Sequence, residues 1–423
     1  MPCSSTRITP FDPTDPVFIE NPYPVFDELR AHGEVHRHDG LGFPVAVSYQ
    51  ACSAVLRSPQ LQRVWHDATP AEDFGAFNLL HRNSMLENSP PRHTRLRRLV
   101  AGAFNRGHTE RLRPTVQAVA DRLVDDLVGR IRDGGQADLL TMLAAPLPIE
   151  VIAELLGVPV ADRPLLQPWS NAIVKMYEYG LPALQRTEAE LAAAEFVEYL
   201  RGLVAHRRWQ PGDDLVTDLI ATIPEPSPAT ANGSSHRVNR VNGVNSDAHL
   251  TEDELVGTAA LLLMAGHEAT VNVLGNGVLA LLRNRPQWQG LRDDPSVVGT
   301  CVEELIRYDS PLQLFERTAV ADVEIGGVEI RTGSKVAALL GAAARDPAVF
   351  KDPDTLDIGR TPNPHLGFGA GIHYCLGAPL ARVEVHAALL ALTRRLPGLR
   401  LTGEPTRRAE FVIRGLTALP VTA

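Results

Sequence analysis

The sequence predicts a mainly α-helical fold with small β-sheets, an α+β architecture. Three observations carry this reading. Amphipathic helical periodicity dominates from His93 to about Ile220. A second helical run, apolar almost all round, opens at the capping box Thr251-Glu252-Asp253-Glu254 and continues to about Leu282. Short strand-like runs stand apart from these: Glu34–His38, Phe43–Val47, and the repeat VEIGGVEI of Val323–Ile330, a hairpin turning at Gly326-Gly327.

In chain order, the front third mixes the two short strands with helical stretches. Residues 59–90 mix polar and aromatic types without a period and are expected to form a loop. Residues Ile223–Asp247 are rich in Pro, Ser, Asn and Gly, which predicts a flexible surface insertion. A further helix is expected over about Ser296–Tyr308, and a last one directly after Cys375. The chain has 423 residues, long enough for two or three average domains, yet its motifs run from His93 to Cys375 and converge on one site, so one domain over residues 1–423 is expected.

Composition excludes several classes. A net charge of −9 gives no support to nucleic-acid binding. The N-terminal residues hold no long apolar stretch, so neither a membrane anchor nor a signal peptide is expected, and the expected location is cytoplasmic. Four cysteines, Cys3, Cys52, Cys301 and Cys375, show no C-x-x-C pair and no zinc spacing, which suits a reducing compartment.

The most informative run is FGAGIHYCLG, Phe368–Gly377, an F-x-x-G-x-x-x-C-x-G pattern. Glycines ahead of the cysteine let the loop fold tightly and turn backbone N–H groups toward the sulfur. The helical pattern LGAPLARVEVHAALLALTRRL follows, with Pro379 tolerated in its first turn. A helix N-terminus next to Cys375 is expected to favour the thiolate, the form that binds haem iron. A dinucleotide fingerprint is a poor alternative, because the third glycine is missing and TPNPHL precedes the run where an apolar strand belongs.

This loop resembles the haem-binding loop of the cytochrome P450 superfamily, in its soluble bacterial form. The resemblance runs from NPYPVFDELR at Asn21–Arg30 to RGLTALPV at Arg414–Val421. It implies the P450 fold, with haem b between a long distal helix and the cysteine loop. It also implies Cys375 as the iron ligand, with Phe368, Gly369 and Gly377 shaping its loop. On the long helix, AGHEAT covers Ala265–Thr270. The small pair Ala265-Gly266 would let the flat cofactor pass close to the backbone; a helix-packing notch is the plainer reading of the same pair. A zinc-protease reading of His267-Glu268 fails because position 271 is Val.

The resemblance makes Glu268 the proton-relay acid. The alcohol that normally follows it is absent, because position 269 is Ala269, and Thr270 lies about 100° further round the helix. Substrate hydroxyl, ordered water, or a distortion that lets Thr270 reach in would have to complete the relay. The same replacement occurs in some macrolide hydroxylases of antibiotic pathways, which points to a polyketide-like substrate.

Other matched positions follow. His93 and Arg97, four apart on PPRHTRLRRL, together with Arg317 and His373, would hold the haem propionates. The neighbouring Arg92, Arg95 and Arg98 would form a basic patch for an acidic ferredoxin. Glu304 and Arg307 form an E-x-x-R pair that by spacing alone is a solvated helix ion pair; the resemblance makes it structural, with Arg360 as third member. Substrate-contact candidates are Phe74, Asn78, Leu86, Met176, Leu262, Gln313, Phe315, Ile413 and Leu416. Together these imply a monomeric monooxygenase that hydroxylates or epoxidises a mid-sized, partly apolar natural product. Electrons would come from an external ferredoxin and its reductase with NAD(P)H. Ring-forming C–C or C–N coupling is the alternative within the same chemistry, and a non-catalytic haem sensor the alternative outside it.

Overall fold

The computed structural model describes residues 11–223 and 249–423, so the insertion expected at 223–247 lies almost wholly outside the described residues, as does the start of the N-terminus. The centre of the molecule is the helix Glu252–Arg283. Its start is the capping box expected from the sequence: the Thr251 hydroxyl accepts the Glu254 N–H at 3.2 Å, and the Glu254 carboxylate accepts the Thr251 N–H at 3.1 Å. The helix is buried on nearly every face, which explains a pattern that is apolar all round rather than amphipathic. It is covered by Pro146–Leu156, Arg163–Val174, Ala183–Trp209, Val298–Tyr308 and Ala378–Arg395. One cluster of buried apolar side chains extends from Phe11 to Val421, and a smaller one fills the space beside the strands.

Strands form a five-stranded mixed sheet in the order Val35–His38, Phe43–Ala46, Lys335–Leu339, Leu314–Ala319, Leu61–Gln62, with one parallel pairing between the second and third. VEIGGVEI is the expected hairpin, in the register Val323↔Ile330, Glu324↔Glu329, Ile325↔Val328. Both turn glycines have positive φ, 55° and 77°, the backbone that a two-residue primed turn demands.

One expectation is corrected. Residues 59–90 are not all loop: Leu61–Gln62 is an edge strand and Gly75–Arg82 a helix. Phe77, Leu80 and His81 repeat at i, i+3, i+4 and bury that helix's inner face; eight residues were too short a window against their irregular surroundings. The helix Arg285–Asp293, opened by a proline and anchored by buried Trp288 and Leu291, was hidden in the same way.

The two ends of the chain are bolted together around Asp309. Its carboxylate accepts from Arg414 (2.7 Å), Arg407 (2.8 Å) and the Tyr23 hydroxyl (2.7 Å), while Arg414 also donates to the carbonyls of Ile19 and Glu20. Burial pushes the Asp309 carboxyl up, but Arg414 and Arg407 outweigh it and hold it below its ordinary 3.8. A carboxyl depressed by folding stabilises the native state above its unfolded pKa and loses that contribution as pH falls below it. Asp309→Asn is therefore expected to lower the thermal midpoint at pH 7, and the gap to the parent protein should narrow below about pH 4. A pH-independent gap in calorimetry would refute this.

Candidate active site

The loop before Cys375 folds as its glycines require. Gly369 and Gly371 both sit at positive φ, 69° and 70°. A side chain on Gly371 would place its Cβ 2.5 Å from the Leu56 carbonyl oxygen, so the loop is wedged against its neighbour. The Cys375 N–H donates to the Phe368 carbonyl at 2.9 Å and closes the turn. The helix Ala378–Arg395 starts three residues later with Pro379 in its first turn, and the N–H groups of Gly377 and Ala378 are aimed at the sulfur. Burial pushes the Cys375 thiol up, against the downward pull of those N–H groups, Arg97 and Arg382.

Beside the loop lies a knot of histidine and arginine side chains. The His93 and His373 rings are 4.3 Å apart. Among the described residues neither nitrogen of His93 has a partner, nor has His373 Nε2, although all three atoms are buried. Burial, then Arg317 and His93, drive His373 down to about 2; burial and Arg97 drive His93 to about 4. Arg317 is buried with only the Glu316 carbonyl to donate to, and burial with the like charge of Arg63 brings its guanidinium down to about 9. Buried nitrogen donors without partners, next to the Arg317 guanidinium, are the complement of carboxylates that must come from outside the chain.

The long helix presents one uncovered stripe. Ala265 is exposed and Ala269 half-buried, whereas Leu262, Leu263, Met264, His267, Glu268 and Thr270 are buried. Ala265 and Ala269 are four apart and so share a face. Gly266 does not belong to it: a Cβ there would lie 2.7 Å from Cγ1 of Ile152, so Gly266 is a notch for the helix Pro146–Leu156. A tight sulfur loop, buried nitrogen donors without partners, and a bare alanine stripe are together the complement of a haem.

Comparison with known proteins decides the matter. The cytochrome P450 family profile matches residues 66–397. The chain belongs to the cytochrome P450 family. It is 40% identical to cytochrome P450 monooxygenase PikC of Streptomyces venezuelae, over 96% of this chain and 91% of that protein. It is 35% identical to the polyketide biosynthesis cytochrome P450 PksS of Bacillus subtilis (strain 168), over 97% and 98%. The solved structure of P450BioI in complex with an acyl carrier protein bearing hexadec-9Z-enoic acid superposes with a TM-score of 0.86 at 34% identity, covering 96% of this chain and 99% of that one. This P450 is a haem b monooxygenase that uses O₂ and takes electrons from NAD(P)H through external redox partners.

The E-x-x-R pair of this P450 is no solvated ion pair. Glu304 and Arg307 are both 0% exposed. Arg307 binds the Glu304 carboxylate through Nε and Nη2, each at 2.8 Å, and Arg360 Nε joins at 3.0 Å. The Asp357 N–H adds a fourth donor at 2.9 Å, and Arg307 also takes the carbonyls of Ala344 and Pro353. Beside it, Glu303 links His365 (3.0 Å) to Arg382 (2.5 and 2.9 Å), whose guanidinium stacks 4.4 Å from the Phe368 ring. Burial pushes the Glu303 carboxyl up, yet the Arg382 and His365 bonds hold it at about 2. The E-x-x-R helix thus reaches the cysteine loop through charge.

On the distal side the P450 departs from its expected relay. Glu268 is engaged by both Nη atoms of Arg408 at 3.0 Å, with Glu410 on the same guanidinium. Thr270 is buried next to Ala269 and lies near the carboxyl of Glu384, from the helix after Cys375. Burial pushes the Glu384 carboxyl up to about 8, and its Oε1 has no partner among the described residues.

Of the substrate candidates, Phe315 lies nearest the haem loop, with its ring 3.9 Å from where a Gly369 Cβ would stand. Leu86 is half-buried and joins neither apolar cluster, and Met176 packs partly buried on the main one. Phe74, Leu262, Ile413 and Leu416 are buried in the core. Of the two expected polar handles, Asn78 clasps both backbone groups of Ala68, while Gln313 donates to the Ser310 carbonyl and leaves its buried Oε1 without a partner among the described residues. The expected basic patch is also reduced. Arg92 and Arg95 turn inward onto Glu254 (3.0 and 2.5 Å), and Arg97 donates to the Tyr374 carbonyl at 2.7 Å. Sequence reading missed Arg63, Glu384 and Arg408. No local spacing marks them, since each acts on a residue far along the chain.

Proposed function

We propose that this P450 inserts one oxygen atom into a C–H or C=C bond of a polyketide-like molecule that itself completes the proton relay. The observation that carries the reading is the missing alcohol. Ala269 offers none, and Thr270 lies about 100° further round the helix. Support for the substrate class comes from the similarity to PksS, whose name places it in polyketide biosynthesis.

In this proposal Cys375 ligates the iron, and His93, Arg97, Arg317 and His373 take the propionates. Haem, when bound, supplies the oxygen-activating chemistry. Ala265 and Ala269 leave room beside it for a substrate hydroxyl or a water. Glu268 feeds that hydroxyl with protons, and Arg408 holds its carboxylate in place. Electrons arrive from a ferredoxin-type partner, and the chain works as a monomer. Leu86, Met176 and Phe315 are the side chains best placed to touch substrate.

A screen of polyketides for the low-spin to high-spin shift of the iron supplies the substrate, and a ferredoxin system supplies electrons. Product should match NAD(P)H consumed when the substrate carries a hydroxyl near the oxidised carbon. An analogue lacking it should divert most of the electrons to hydrogen peroxide, and Ala269→Thr should restore product. Tight coupling of the parent enzyme with the hydroxyl-free analogue refutes the proposal.

A further inference from the structure

Three side chains from three segments meet beside the cysteine loop: Glu303 on the helix Val298–Tyr308, His365 just before the loop, and Arg382 on the helix Ala378–Arg395. The Gly367 N–H donates to His365 Nδ1 at 3.1 Å, so that nitrogen is the acceptor of a neutral ring and Nε2 carries the proton. Nε2–H then donates to Glu303 Oε2 at 3.0 Å. Arg382 grips the same carboxylate through Nε at 2.5 Å and Nη2 at 2.9 Å. These three residues supply one anion, one cation and one neutral donor.

The cation acts on the sulfur. The Arg382 guanidinium lies 4.4 Å from the centroid of the Phe368 ring, and the Phe368 carbonyl is the group that accepts the Cys375 N–H at 2.9 Å. Burial pushes the Cys375 thiol up, and Arg97 and Arg382 are among the groups that pull it down. Arg97 is a propionate candidate; Arg382 is paired with Glu303. Burial pushes the Glu303 carboxyl up, but the Arg382 and His365 bonds hold it at about 2, so it is ionised at neutral pH. With Glu303 in place, part of the Arg382 field at the sulfur is cancelled; without it, the full charge would act there. The side chains of Arg382 and Glu303 are 35% and 27% exposed, so water screens the pair and keeps the effect moderate.

We propose that Glu303 is a positioning residue for reduction of the iron: it cancels part of the Arg382 charge at Cys375 and so holds the reduction potential below the value that the bare guanidinium would set. This rests on Cys375 as the iron ligand. Reduction removes one positive charge from the iron. An unpaired guanidinium nearby favours that step, and an unpaired carboxylate opposes it. Glu303 thereby governs how readily the iron accepts its electron from the external donor.

The test is a spectroscopically followed redox titration of the haem-loaded full chain without substrate. Glu303→Gln, which keeps the shape and removes the charge, is expected to raise the equilibrium constant for reduction about fivefold, where tenfold corresponds to about 59 mV for one electron. Arg382→Gln should lower it by a similar factor, and the double variant Glu303→Gln with Arg382→Gln should return close to the parent. A cluster that only braces the loop would move both single variants in the same direction, or neither, and either result overturns the proposal. If Glu303→Gln does not retain haem, Arg382→Lys takes its place, because it keeps the charge and loses the fork. It should stay near the parent while Arg382→Gln falls, and equal shifts in the two overturn the proposal. Failure of the underlying reading looks different: the parent protein itself, reduced under carbon monoxide, would lack the strongly red-shifted Soret band.

Discussion

Cys375→Ala is expected to abolish the strongly red-shifted Soret band of the reduced, carbon monoxide-bound protein and to reduce monooxygenase activity to background. The chain has other buried thiols, but Cys52 and Cys301 sit inside the apolar packing, and burial pushes both thiols well up. Neither stands in a loop with N–H groups aimed at sulfur, so neither can take over. Cys375→Ser separates geometry from donor softness: the loop would still close through the Cys375-to-Phe368 backbone bond, while a hydroxyl would replace the sulfur donor. Absorbance spectra and haem-to-protein ratios of the purified variants check this. A red-shifted band surviving in either variant would remove Cys375 from its proposed role.

Glu304→Ala should have the largest effect on stability. It would leave Arg307 and Arg360, both buried, without the carboxylate that joins them, and would free the Asp357 N–H as well. Breaking a buried ion pair by deleting one partner costs about 3–5 kcal/mol. Because the same helix carries Glu303, which holds Arg382 against Phe368, the loss should spread to the cysteine loop and appear as poor haem retention. Arg307→Lys tests the geometry. One ammonium cannot reproduce the two parallel bonds to Glu304 and the further bonds to carbonyls, so it too should lower the chemical-denaturation midpoint strongly. A Glu304→Ala protein that binds haem and unfolds like the parent would show that the cluster is dispensable.

Much of the architecture was legible because its causes are local. The capping box needs only four residues, the hairpin only a glycine pair, and the cysteine loop only ten. The short helix Gly75–Arg82 was not legible, because its periodicity spans two turns and Asn78, Asn83 and Ser84 dilute it. The E-x-x-R pair sits between these cases. Its spacing is visible, but spacing does not separate a buried pair from a surface one; only the packing around Glu304 does that.

The sequence by itself determined the helical fold, the place of the sulfur in a glycine-shaped loop before a helix, and the missing alcohol at Ala269. These depend on neighbours within a few residues, where backbone conformation and side-chain spacing are set. Tertiary structure alone decided how the polar groups are spent. Arg408 takes Glu268 across 140 positions of chain, Val412 takes Glu178 across 234, and Asn78 is lost to Ala68. A buried polar atom bonds whatever partner the fold brings to it, and no periodicity in the chain records which partner that will be.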